Sequence, residues 1–114
     1  MDISTARDAI TVRDFGKLAS VAEHNCLKMH SVMWTSRPPV VFWNAATVAC
    51  LERVRELQAD GVSAFFTIDA GPQVKVICLP DDETQVIEAL SRVSGVQSVL
   101  VSGIGAGAAL VNGD

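Results

Sequence analysis

The 114-residue chain has no tyrosine, 5% aromatic residues, three cysteines and few charges, and each scarcity excludes something. Only 19% of residues are charged against 49% hydrophobic, which rules against the polar, highly charged composition of a disordered segment. The apolar content is mostly Ala, Val and Leu, and a chain of this length buries a real core as one domain without staples. Cys26, Cys50 and Cys78 are too few and too widely spaced for a zinc module, and their odd number argues against a disulfide framework. They read as small buried hydrophobes in a reducing compartment. Basic charge is scarce too: the formal net charge is -4, and Lys28, Arg37, Arg53, Arg55 and Lys75 are scattered, so nucleic acid is not an expected partner. No run of 18 apolar residues occurs, and Met1-Asp2-Ile3-Ser4 lacks the basic-then-apolar order of a signal peptide. A cytoplasmic chain with no membrane partner is expected. Low charge with long apolar stretches suggests that a partner subunit, or the rest of a longer polypeptide, covers part of the surface.

What is present divides by period. Residues 5–34 are helical by pattern, with Thr5 and Asp8 at capping-box spacing and an apolar stripe at Phe15, Leu18, Ala22, Cys26, Met29 and Met33. Thr11 and Val12 are β-branched and Asp14 is a good cap, so a break is expected at 11–14, before Phe15. The prolines of Ser36-Arg37-Pro38-Pro39 end the helix. Asn44 then caps a helix to about Ala59 with Val48, Leu51, Val54 and Leu57 buried, and Asp60-Gly61 stops it. Residues 63–68 and 74–79 are Val-, Ile- and Phe-rich strands joined by Asp69-Ala70-Gly71-Pro72-Gln73. A helix over 82–94, opened by Asp82 and Gln85 with Val86, Ile87, Leu90 and Val93 inward, and a third strand over 96–101 complete the order. This predicts an α+β fold of ferredoxin-like split β-α-β type, a mostly antiparallel sheet with helices packed on one face and its first strand unassigned. The glycine-rich 102–107 reads as a turn into 109–111. It opens no helix, so it is a weak phosphate loop.

Asp69 is the best candidate for chemistry. It follows a strand into a loop where Ala70 and Gly71 carry little bulk, so a substrate can approach the backbone and consecutive amides could form an anion-binding concavity. Asp, Gly and Pro are also ordinary turn residues, and that reading stays open. Lys75 shares a strand face with Gln73 and Ile77 and could meet a phosphate or carboxylate, although an isolated strand lysine is usually a solvated edge residue. Asn25 and Lys28 share a helix face, as do Cys26 and His30. His30 is expected to donate to a loop carbonyl and fix its helix against the proline segment. Glu23 and His24 read as solvent exposed. No metal site is expected, because His24 and His30 stand six apart rather than on an i,i+4 face.

Three segments together resemble a known family. Residues 22–30, Ala-Glu-His-Asn-Cys-Leu-Lys-Met-His, then Arg37-Pro38-Pro39, and above all residues 65–76, Phe-Phe-Thr-Ile-Asp-Ala-Gly-Pro-Gln-Val-Lys-Val, are similar to the C-terminal domain of bacterial-type diphosphomevalonate decarboxylases. The resemblance runs from about Asp2 to Val111 and includes the glycine-rich stretch. It implies membership of the GHMP kinase superfamily, whose relatives include galactokinase and homoserine kinase. It also implies a C-terminal domain of that type. Family members phosphorylate the tertiary hydroxyl of mevalonate diphosphate with Mg-ATP; loss of phosphate and carbon dioxide then gives isopentenyl diphosphate. The resemblance makes Asp69 the acidic residue that orients or deprotonates that hydroxyl, with Ala70, Gly71 and Lys75 on the substrate side.

Two departures qualify this implication. The family pattern usually has Asn where this chain has Gln73. The ATP-binding glycine-rich loop, phosphate-binding serines and catalytic arginine of the family belong to an N-terminal domain that this chain does not contain, so ATP and Mg2+ are expected to bind mainly there. That domain and a phosphorylated mevalonate are the expected partners, an exposed inter-domain face could pair two copies into a homodimer, and the isolated chain is expected to be inactive. A phosphomevalonate decarboxylase or small-molecule kinase of the superfamily would share these features. A non-catalytic ferredoxin-like ligand-binding module would bury the same stripes.

Overall fold

The computed structural model describes residues 2–112. Helices α1 (Asp2–Thr11), α2 (Phe15–Trp34) and α3 (Ala45–Ala59) precede strands β1 (Ala64–Thr67) and β2 (Lys75–Cys78), a 3-10 turn at Pro80–Asp82, and α4 (Glu83–Ser91). Arg13, in a left-handed conformation, makes the expected break, and Asp14 caps α2 by accepting from the Lys17 amide at 2.9 Å. The first helix already runs at Asp2, so Thr5 and Asp8 lie inside it rather than at its cap. A tertiary contact extends it: the Asp2 carboxylate pairs with Lys28 at 2.6 Å and accepts from Asn25 at 3.1 Å, both on α2.

Asn44 forms a reciprocal capping box with Thr47, and Gly61, at φ +85°, stops the chain past α3. The buried stripe of α3 is Thr47, Cys50, Val54 and Leu57, with Leu51 partly covered and Val48 exposed. The stripe is turned from the expected one because the Thr47 hydroxyl is drawn inward, donating to the Pro72 carbonyl at 2.8 Å. At α4 the expected Asp82 cap is absent, since that carboxylate instead accepts from the Ser63 amide at 2.9 Å; the helix ends at Ser91.

β1 and β2 are antiparallel, with Ala64 opposite Cys78 and Phe66 opposite Val76. Ala64 and Phe66 therefore share a face with Val76 and Cys78, and α3 and α4 cover it. Two adjoining clusters make the core: Leu57, Val62, Ala64, Val86 and Ala89, and Cys26, Val54, Phe66 and Ile68. Each large side chain buried there, such as Phe66, contributes about 1.5–3 kcal/mol of transfer free energy. On the opposite face Phe65 packs against Phe15, ring centroids 5.4 Å apart.

The outer edge of β1 meets a helix instead of a strand. Ser63 accepts from Leu79 across the hairpin, so residues 63, 65 and 67 aim their backbone groups at β2 while 64, 66 and 68 aim theirs outward. Side chains meet these outward groups. Gln58 donates to the Ala64 carbonyl at 2.9 Å, Glu23 accepts from the Phe66 amide at 3.3 Å, and Cys26 Sγ accepts from the Ile68 amide at 3.3 Å. The helix α2 thus stands where a neighbouring strand would.

Among the described residues the sheet has two strands, and the expected third strand over 96–101 is irregular chain. The run at 109–111 is likewise irregular and exposed, as are Leu100 and Ile104. The outer edge of β1 is closed to a further strand, because Gln58, Glu23 and Cys26 already take it.

Candidate active-site loop

Asp69 follows β1 where side chains of α2 hold both polar groups of the preceding residue. Ile68 is buried; its amide donates to Cys26 Sγ, and its carbonyl accepts from His30 Nε2 at 3.0 Å. His30 is itself fully buried, its ring 5.0 Å from that of Trp43, which meets Trp34 edge-on at 4.8 Å. Burial pushes the Cys26 thiol above its ordinary range, which keeps it neutral beside the Ile68 peptide. Beyond Asp69 two further contacts fix the loop. Gly71 takes φ +104°, and a Cβ there would stand 3.3 Å from the Phe42 carbonyl oxygen; Pro72 accepts from Thr47. The loop is thereby anchored to α2, to the segment before α3 and to the first turn of α3.

From this frame the Asp69 carboxylate projects outward, 76% exposed, and pairs with the Lys75 ammonium across the hairpin. Lys75 and Ile77 lie on the open face of β2, as their spacing predicts. Asp69, Ala70, Gly71 and Lys75 are brought together at one end of the hairpin. Ala70 and Gln73 are exposed there.

Glu23, expected in solvent, is buried. Its carboxylate accepts from Arg55 at 2.5 Å, Gln58 at 2.7 Å and the Phe66 amide, while the Arg55 guanidinium lies 5.3 Å over the Phe66 ring. Three donors of fixed geometry, one of them charged, outweigh the desolvation of one carboxylate. His24 is exposed and lines, with Gly16, Ser20, Glu23, Leu27, Arg55 and Gln58, an open cleft of about 370 Å³ that includes none of the loop residues. His30 does donate to a loop carbonyl, but to Ile68 rather than in the proline segment. The contribution of Thr47, Trp43 and Cys26 to the loop was not legible as such; the i, i+3, i+7 row of Glu23, Cys26 and His30 on α2 was the available signal.

Among the described residues no three His, Cys, Asp or Glu side chains converge as a metal site, and residues 103–107 open no helix. No helix among the described residues is long and apolar enough to cross a membrane.

Helices packed on the face and along the edge of an antiparallel hairpin, with an acidic loop at its end, make the α+β architecture of GHMP kinase C-terminal domains. Within that class the chain belongs to the family described as the mevalonate 5-diphosphate decarboxylase C-terminal domain, whose sequence profile matches residues 1–107. The mevalonate diphosphate decarboxylase of Enterococcus faecalis superposes with a TM-score of 0.77 at 33% identity, over 82% of this chain and 30% of that one. The mevalonate pyrophosphate decarboxylase of Streptococcus pyogenes gives 0.76 at 34% identity, over 80% and 29%. The phosphomevalonate decarboxylase of Haloferax volcanii is 29% identical over 90 residues, which are 78% of this chain and 28% of that protein. The chain spans less than a third of the length of each of these relatives.

Proposed function

We propose that this chain is the substrate-side domain of an ATP-dependent decarboxylase that converts mevalonate 5-diphosphate to isopentenyl diphosphate, phosphate and carbon dioxide. The observation that carries the reading is Asp69: an exposed carboxylate on a loop anchored at Ile68, Gly71 and Pro72, in a chain of this family. A tertiary alcohol is a poor nucleophile. A carboxylate held against it can orient the oxygen and take its proton as the bond to phosphorus forms. Lys75 sits where its ammonium can neutralise the carboxylate before binding and turn to an anionic group of the substrate afterwards. The small Ala70 and Gly71 leave room for a branched carbon skeleton.

ATP and Mg2+ belong, in this reading, to an N-terminal GHMP kinase-like domain, and catalysis needs both. Asp69→Asn in the assembled two-domain enzyme tests the assignment. The amide keeps the shape but cannot accept the proton, so kcat is expected to fall by about 10²–10⁴-fold with KM little changed. Near-normal turnover in a folded D69N protein would refute the role.

The Haloferax relative supports a second reading, in which the substrate carries one phosphate. Turnover of the assembled enzyme with mevalonate monophosphate and diphosphate, measured side by side, separates the two.

A further inference from the structure

We propose that His30 is a positioning residue for Asp69, acting through the peptide that joins Ile68 to Asp69. This rests on the reading of Asp69 as the hydroxyl-directed base. The Ile68 carbonyl belongs to the same planar unit as the Asp69 amide and Cα, so a donor that fixes the carbonyl direction also fixes the Asp69 Cα and leaves φ as the one backbone rotation that aims its side chain. His30 Nε2 is the nearer donor to that carbonyl, at 3.0 Å, and the weaker Cys26 thiol stands at 3.7 Å.

The surroundings of the ring fit this role better than simple filling of space. A leucine or phenylalanine would fill the site without a buried polar atom, whereas His30 is fully buried and its Nδ1 has no hydrogen-bond partner among the described residues. Donation from Nε2 to a carbonyl means that the proton sits on Nε2 and that Nδ1 carries the lone pair in the neutral ring. The ring plane is set by Trp43 on one side and Trp34 on another, with centroids at 5.0 and 6.5 Å. Trp43 also closes against Gly71, so one aromatic cluster supports the loop at both Ile68 and Gly71. Asp69, by contrast, has an exposed side chain paired with an exposed lysine, and such a pair holds little by itself. The carboxylate's position is therefore set from behind, through the backbone.

Four variants of the assembled two-domain enzyme test this: H30F, H30Q, D69N and the double variant H30F/D69N. Phenylalanine keeps the ring against the tryptophans and removes the donor; glutamine places an amide N–H near the Nε2 position. H30F is expected to lower kcat by about 10²-fold, the scale of a misplacement near 1 Å, with KM within about twofold. H30Q should recover most of that loss, and H30F/D69N should be no slower than D69N alone. The 15N shift of the Asp69 amide should move in H30F and return in H30Q. Full kcat in a folded H30F enzyme, or losses that multiply in the double variant, would overturn the proposal. If D69N itself retains turnover, the base assignment fails, and the Asp69 amide shift alone decides whether His30 holds the peptide. If H30F does not fold, H30Q and H30N replace it. Only glutamine reaches the Ile68 carbonyl, so its kcat should exceed that of the asparagine variant by about tenfold, and equal values would refute the role.

Discussion

Gly71 illustrates how much of the loop depends on one residue. Its φ of +104° lies where side chains are strained, and an added Cβ would press on the Phe42 carbonyl at 3.3 Å, a backbone atom that yields little. Gly71→Ala is therefore expected to destabilise the domain by about 1–3 kcal/mol, read as a lower urea midpoint. In the assembled enzyme it should also lower turnover, because the added methyl would push the loop off Trp43. An unchanged midpoint would show that the loop carries no such constraint. Asp69 is the opposite case: an exposed residue whose substitution should leave stability nearly unchanged while turnover collapses. That divergence between two residues of one loop distinguishes a scaffold residue from a reacting one.

The edge of β1 is the notable feature among the elements. A short hairpin is marginal alone, and here its exposed backbone groups are met by a row of side chains from α2 and α3. Glu23 is central because it joins Arg55, Gln58 and the Phe66 amide in one buried cluster. Glu23→Gln places an amide NH2 where one carboxylate oxygen now accepts, and leaves a buried donor unpaired. The expected cost is about 1–3 kcal/mol in urea unfolding. Arg55→Ala should cost less, about 1 kcal/mol or below, since its side chain is 54% exposed and water can replace it. Equal effects from the two variants would mean that the ion pair, and not the edge of the strand, is what Glu23 serves.

Taken whole, the molecule has a closed core and leaves apolar side chains exposed on several elements. Its core lies between the hairpin, α2, α3 and α4, while Val41, Phe42, Met29 and Val32 stay exposed on α2 and the segment before α3. In the proposed enzyme this is where the nucleotide-bearing domain would approach, bringing the phosphoryl donor to the hydroxyl that Asp69 holds. The 114 residues alone should therefore release no carbon dioxide from mevalonate diphosphate and ATP. Detectable ATP-dependent release, in a trapped-gas assay with purified chain, would overturn this division of labour.

How far the sequence reached depended on whether the governing interactions were local. The break at Arg13 and Asp14, the Asn44 cap, the Gly61 stop and the hairpin around Asp69 were legible, because each follows from a residue's own backbone preferences or from neighbours three or four positions away. The run through Asp69 also carried the family resemblance. Long-range pairing decided the rest. Glu23 looked like a solvated helix residue until Arg55, Gln58 and Phe66, all more than thirty positions later, closed around it. Asp82 became a partner of Ser63 instead of a cap, and 96–101 had the composition of a strand but stayed irregular chain. The sequence by itself determined where the acidic loop lies and what kind of residue it presents. Only the tertiary structure decided what holds that loop, because an imidazole on one helix and a carbonyl 38 residues away become partners only when the chain folds.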